Sequence, residues 1–275
     1  GKAKGGAKKV EKGKKKKKNK PKGKPKKDDD DDDDDEPGPE VINVEFTFCD
    51  MDEKYFHGIR TLLLTDPMTA PHASALADLM IENVSVGTVI STENVDEGDE
   101  TVYGFASVLN VTTHGDRPCV KALRDACLER CPRDRREELD TVLSGRTKRP
   151  AGLYLHGRMI NLPLEITETL HEQLVLDMDW AVKNAEGGKE ERKSLDFGAF
   201  VRMAPCVAAA SAVSAESRSS SPAVYKHFDD EVFAGRAEFV YEFDAPRRPG
   251  DEERKVCAVS VMTKTGHREG MKDLA

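Results

Sequence analysis

From Val41 onward the apolar residues switch repeatedly between a two-residue and a 3.6-residue period, which restricts the chain to strands and helices folded against one another. In VINVEFTF, Ile42, Val44, Phe46 and Phe48 alternate with polar residues, the pattern of a half-buried strand. Asp50 then reads as a helix cap with Glu53 three residues on, and Tyr55, Phe56, Ile59, Leu62 and Leu63 supply the helical stripe. A second helix is expected from Pro71, capped by Thr69, with Leu76, Leu79 and Met80 on one face. Strands follow at Val86 to Ile90 and in VYGFASVLN from Val102.

Pro118 opens another helix at a position where its missing N–H does no harm, and Pro132 separates that helix from one ending near Gly145. GLYLHG from Gly152 is a strand. A long helix runs from Pro163 to about Asn184, with Ile166, Leu170, Leu174 and either Met178 or Trp180 turned inward. LDFGAFVRM, RAEFVYEF and KVCAVSVMT complete the pattern as three strands. Helices interleaved with strands in this way predict a mixed α/β fold, a central mixed sheet flanked by helices.

Residues 1–40 show no such period. They hold 15 Lys and one acid up to residue 27, then eight Asp and a Glu over residues 28–36. A segment with so little to bury cannot offset the entropy of ordering itself, so it is expected to form a disordered tail before a single domain at 41–275. Flexible loops are expected at about 91–101, 207–223 and 245–254. Within the tail, the run Lys14, Lys15, Lys16, Lys17 and Lys18 is a nuclear-import candidate; the plainer reading is a solubilising segment attracted to its own Asp run. The chain begins with Gly1, so its natural start is expected further upstream.

Beyond the Lys and Asp runs, 28 Lys and Arg face 41 Asp and Glu, a net charge of −13 over residues 37–275. Such a surface repels a phosphate backbone and attracts a basic protein, so no direct nucleic-acid binding is expected of the folded part. Its acids concentrate at Glu93, Asp96, Glu97, Asp99 and Glu100, and at Asp229, Asp230 and Glu231, which become candidates for contact with a basic partner. A further cluster lies at Asp251 to Glu253. No apolar run approaches the roughly 20 residues that cross a bilayer, and six scattered Cys fit the reduced cytosol or nucleus.

Motifs of catalysis are missing. None of the four Gly-Lys pairs is followed by Ser or Thr, and there is no GxGxxG turn. The acyl-CoA pyrophosphate loop needs an Arg or Gln three residues before Gly-x-Gly or Gly-x-Ala; Gly104-Phe105-Ala106 and Gly235-Arg236-Ala237 are preceded there by Thr101 and Val232. Cys127 and Cys131, with His114 and Cys119 upstream, could suggest zinc, but Val120, Leu123, Cys127 and Cys131 continue one apolar stripe and read better as core. Arg158 and Asn161 beside a helix start could hold an anion; the turn chemistry of Asn161 and Pro163 is the better account. Ser219 to Pro222 reads as an unmodified linker. No metal and no cofactor are expected.

Together, VEFTFCDMDEKYFHGIRTLL, LADLMIENVSVGTVI, VYGFASVLNVT, RPAGLYLHGRMINLPLEITETLHEQL and FDDEVFAGRAEFVYEF resemble, in order, segments of the BCCIP family from Val41 to the C-terminus. The most specific pieces are Gly104-Phe105 with Val108-Leu109-Asn110, and Ile160 to Pro163. The resemblance implies an acetyltransferase-like fold without a cofactor site and a non-enzymatic nuclear role, with shuttling to the cytoplasm. It further implies a chaperone that escorts a basic large-subunit ribosomal protein in 60S biogenesis and supports nuclear export of clients, meeting nuclear transport factors. Two alternatives are an adaptor for DNA-repair and cell-cycle regulators and an acyl-CoA-dependent acetyltransferase with a rebuilt site. The chain departs from the family in its Lys/Asp tail and in a shortened, Gly-interrupted C-terminus from Lys264, which puts the last helix in question.

Overall fold

The strand-period segments assemble into one sheet, seen in a computed structural model that describes residues 45–92, 101–207, 224–247 and 254–275. In chain order the elements are β1 (Thr47–Asp50), α1 (Phe56–Leu63), α2 (Ala73–Glu82), β2 (Gly87–Thr92), β3 (Thr101–Asn110), α3 (Pro118–Arg130), α4 (Arg136–Leu143) and β4 (Ala151–Arg158). They continue with α5 (Leu164–Asn184), α6 (Gly188–Leu195), β5 (Ala199–Val207), β6 (Val224–Tyr225), α7 (Phe228–Ala234), β7 (Phe239–Asp244), β8 (Lys255–Thr263) and α8 (Lys264–Leu274). The fold is the expected mixed α/β arrangement, an open sheet flanked by helices.

Strand order is β1-β2-β3-β4-β5-β8-β7, with the short β6 added to β5. Every pairing is antiparallel except β4 with β5, where Ala151–Tyr154 run beside Ala199–Arg202 in parallel. Beyond that point the two strands part. The end of β4 stays with β3, Arg158 opposite Gly104, while the end of β5 stays with β8, Val207 opposite Lys255. A wedge therefore opens in the middle of the sheet.

One apolar layer joins α1 to α4 to the sheet through Ile59, Leu76, Met80, Leu123 and Leu139, with Val89, Leu109, Leu153 and Val259 below them. The other seats Leu170, Leu174 and Met178 of α5, Phe233 of α7 and Leu274 of α8 over Ile90, Val108, Tyr154 and Phe200. Of the two residues proposed for the inward face of α5, Met178 is buried and Trp180 is exposed. Cys127 and Cys131 are buried with Val120 and Leu123, as a core stripe requires; burial pushes the Cys127 thiol up to about 12.

Three local expectations are corrected. Asp50 closes β1 opposite Thr88, and the helix cap is Asp52, whose carboxylate accepts from the Lys54 N–H at 3.0 Å to start a 3-10 turn. Thr69 does not cap α2; its hydroxyl donates to the Leu63 carbonyl at 2.7 Å, and a 3-10 turn at Ala70–His72 leads into the helix. The strand read from Leu195 begins at Ala199, because residues through Leu195 are already α6.

The questioned C-terminal helix also forms, and its glycines are what allow it. Thr263 caps α8 by accepting from the Gly266 N–H at 3.1 Å. A Cβ at Gly266 would stand 2.6 Å from the Arg236 carbonyl oxygen, and one at Gly270 would stand 2.8 Å from the Phe233 ring. Only bare backbone lets α8 approach α7 this closely. Gly266→Ala is accordingly expected to destabilise the fold by ~1–3 kcal/mol in urea titration, although Ala favours a helix by about 1 kcal/mol. A net gain in stability would show that the close approach is not needed.

Candidate functional site

Arg202 lies in the centre of an apolar strand, between Phe200, Val201, Met203 and Ala204, and is 1% exposed. A guanidinium cannot lose its water there without carboxylate partners. The parting of β4 from β5 supplies the room, and the first turn of α7 supplies the acids. Arg202 Nε donates to Asp230 Oδ1 at 2.7 Å and its Nη2 to Asp229 Oδ2 at 2.8 Å. Arg158, at the end of β4, donates to Asp229 Oδ1 from Nη2 at 2.8 Å and from Nε at 3.2 Å. His171 on α5 reaches Asp229 Oδ2 with Nε2 at 3.0 Å, while its Nδ1 lies 2.6 Å from the Tyr154 hydroxyl. With Nε2–H donated to the carboxylate, Nδ1 accepts the tyrosine proton. Four elements thus meet on one aspartate.

Aromatic rings close the site. The Arg202 guanidinium sits 4.8 Å from the centroid of Tyr154 and 4.7 Å from that of Phe233, within the range of cation–π attraction. His267 from α8 stacks on Phe233 at 5.1 Å between centroids, and Phe200 packs against the same imidazole.

Two arginines balance two aspartates, which sets the titration. Burial opposes the charge on Asp229, but its hydrogen bond from His171 and the neighbouring guanidinium outweigh it and hold the carboxyl well below the usual range. Asp230 is likewise lowered, with burial overcome by His156 and Arg202. His171 and His227 are each pushed down to about 4, chiefly by burial, and His267 to about 3 for the same reason. The Tyr154 hydroxyl is raised by burial. At neutral pH the interior therefore holds fixed ion pairs beside the neutral imidazoles of His171, His227 and His267.

Among the described residues, one trio could in principle hold a metal ion: His156, Asp229 and Asp230, whose ligand atoms lie within 4.8 Å of one another. The donor set does not fit one. Both oxygens of Asp229 and Oδ1 of Asp230 are occupied by arginine or histidine, and the charge is already balanced. Asp230 Oδ2 and His156 Nε2 remain without a hydrogen-bond partner. The latter is 3.0 Å from Asp230 Oδ1 but is not aligned to donate to it. A divalent cation would have to displace Arg202. What the arrangement does chemically is to clamp β4, β5, α5 and α7 through buried charge.

This overturns one sequence expectation. Asp229 and Asp230 are 0% and 1% exposed and engaged by arginine, so they do not present carboxylates to a partner; Glu231 beside them is exposed. Glu93, Asp96, Glu97, Asp99 and Glu100, the cluster at Asp251 to Glu253 and the import candidate Lys14 to Lys18 lie outside the described residues. Arg158 is committed to Asp229, and Asn161 is exposed in the turn that follows. The sequence reading did not single out Tyr154, His156, His171 or Arg202 as site residues. Their signal was Arg202 itself, a lone cation in an apolar strand that demands a buried acid somewhere in the fold.

Comparison with known proteins places the chain beside a family, several relatives and a solved structure. The family model described as BCCIP matches residues 41–233. The chain is 32% identical over 146 residues to the human BRCA2 and CDKN1A-interacting protein, covering 49% of this chain and 46% of that one. It is 31% identical over 153 residues to protein bcp1 of Schizosaccharomyces pombe, covering 54% and 53%. The matched stretch thus spans about half the length of these relatives. Protein BCP1 of Debaryomyces hansenii is 25% identical over 248 residues, covering 79% of this chain and 78% of that one. Among solved structures, BCP1 from Saccharomyces cerevisiae superposes with a TM-score of 0.62 at 17% identity, covering 89% of this chain and 93% of that one, a likeness of fold.

Proposed function

The chain belongs to the BCCIP family, and from that premise we propose that it is a non-enzymatic nuclear escort for a basic large-subunit ribosomal protein, serving 60S assembly and nuclear export of its client. The observation that carries this reading is the charge of residues 37–275, which is −13. Long basic extensions are drawn to such a surface, and while they are covered their contact with RNA is delayed. The buried ion pairs support the non-enzymatic half of the reading. The carboxylates and imidazoles best suited to proton transfer are enclosed and tied to one another rather than open to a substrate.

The test is binding of the full chain to purified basic large-subunit ribosomal proteins by anisotropy across a salt series. Binding is expected to weaken about tenfold or more between 0.05 and 0.3 M salt, because screening shortens the reach of surface charge. Absence of binding to every such protein at low salt refutes the escort. A second reading, an adaptor for repair and cell-cycle regulators, is favoured by the name of the human relative, the BRCA2 and CDKN1A-interacting protein. Competition between a ribosomal protein and such a regulator for the full chain separates the two. Calorimetric titration with acetyl-CoA tests the transferase alternative, for which no heat of binding is expected.

A further inference from the structure

At the open end of the wedge, three large apolar side chains face solvent: Ile160 is 70% exposed, Leu164 43% and Phe228 53%. They belong to the turn after β4, the start of α5 and the start of α7, and one ion pair ties these segments together. Arg158, two residues before Ile160, binds Asp229, the neighbour of Phe228; Asp229 also takes His171, two turns along α5 from Leu164. The buried clamp thus fixes a framework from which the three side chains project.

Charge indicates what covers them. Exposed Glu165 follows Leu164, and exposed Glu231 lies one helical turn after Phe228. Thr92 pairs with Thr101 across the chain segment 93–100, which carries five carboxylates, and the Met159 N–H donates to the Tyr103 carbonyl at 2.9 Å. Thr101, the first residue of β3, is thus two residues from the strand position that holds Met159, next to Ile160. Lys226, two residues before Phe228, carries the opposite charge. Leu176 and Trp180 on α5 are also exposed, but the groove at Leu176 mixes Glu172 with Arg268 and Lys272, and this mixed charge favours a basic partner less.

We propose that Ile160, Leu164 and Phe228 form the docking surface for a Lys/Arg-rich segment of a partner protein that carries apolar anchors between its cations. This rests on the escort reading and names its contact face. Apolar side chains supply the contact that surface charge alone does not, and the exposed carboxylates of Glu165 and Glu231 set the sign of the partner.

Two fluorescein-labelled peptides test this in anisotropy with the full chain: one of Lys and Arg with Leu at helical spacing, the other with each Leu replaced by Ser. The native chain is expected to prefer the Leu peptide by about tenfold or more, since each buried Leu contributes strongly to affinity. Ile160→Ser, Leu164→Ser and Phe228→Ser combined are expected to abolish that preference and leave the weak, salt-sensitive binding of the Ser peptide unchanged. Ile160→Ser alone, at a side chain mostly in water already, is expected to lose part of the preference without any change in melting temperature. Photo-crosslinking from benzoylphenylalanine at position 160 is expected to capture the Leu peptide, and from position 84, in the turn that precedes β2, to capture little. Unchanged preference in the variants, or a dimer of the native chain that the triple variant abolishes, overturns the proposal. If the native chain binds no basic peptide and no basic ribosomal protein, the escort reading itself fails.

Discussion

Arg202→Met is expected to destabilise the protein by ~3–5 kcal/mol and lower its melting temperature by roughly 10 °C, because it leaves a buried carboxylate without its cation. The loss falls mainly on Asp230. Asp229 keeps Arg158 and His171, whereas Asp230 Oδ1 loses the Arg202 Nε donor and Oδ2 has no hydrogen-bond partner to begin with. With His156 left alone to oppose desolvation, that carboxyl moves upward, so the variant binds protons that the native protein does not. Adding Asp230→Asn removes the stranded charge. The double variant is expected to be more stable than Arg202→Met alone, with a coupling of about 2 kcal/mol or more by urea denaturation. Arg158→Met is expected to cost less, since Asp229 retains two of its partners. If Arg202→Met costs under about 1 kcal/mol, the buried pairs do not hold the wedge.

That experiment also bears on why the sheet parts where it does. The parallel register of β4 with β5 ends at Tyr154 opposite Arg202, and the next inward-facing residue of β4 is His156. A guanidinium between the strands, braced by Tyr154 and Phe233, takes the volume that a further rung of apolar side chains would otherwise fill. Buried polar pairs of this kind contribute little net stability relative to a well-packed apolar core. Their geometry is nonetheless demanding, so they fix one arrangement of α5 and α7 against the sheet. The exposed side chains of Ile160, Leu164 and Phe228 inherit that arrangement.

The strands and the long helix were legible because their periods run far enough to be unambiguous: β3 over ten residues, α5 over 21. Three helices were not. α6, GKEERKSL, buries no residue at all, so it has no stripe to read. α7 has seven residues, and its two acids resembled a solvated charge run. α8 carries glycines, which argue against a helix in sequence but in three dimensions allow contact with Phe233 and the Arg236 carbonyl. The site was hidden for a related reason. Asp229 lies 71 residues from Arg158, 58 from His171 and 27 from Arg202, so no local spacing could mark the group. Charge runs are usually wet, and here the exception is produced by a cation placed in an apolar strand far away in the chain.

Acid is expected to unfold the protein well before its carboxylates are neutralised. His171, His227 and His267 are neutral in the fold, burial having pushed them down to about 4, 4 and 3. In the unfolded chain each titrates near ~6.5. As pH drops below that value the unfolded state gains protons that the folded state refuses, so stability present at neutral pH is lost toward pH 4. The slope is ~1.4 kcal/mol per pH unit for each histidine. Asp66 works the other way. Burial raises it to about 6, so between roughly pH 6 and 4 the folded state holds a proton that the unfolded carboxylate does not. The net difference is about two protons, and stability is expected to fall by roughly 2–3 kcal/mol between pH 6 and pH 5. Asp229 and Asp230, held below the ordinary range, add to the loss only once pH nears ~4, where their unfolded counterparts protonate. His267→Phe keeps a ring between Phe233 and Phe200 and removes one titrating group, so it is expected to flatten the dependence by about one proton. Urea titrations at pH 7, 6 and 5 on both proteins measure these slopes. A native protein equally stable at pH 7 and pH 5 would mean that the imidazoles gain their protons within the fold, and that the wedge admits water the buried geometry excludes.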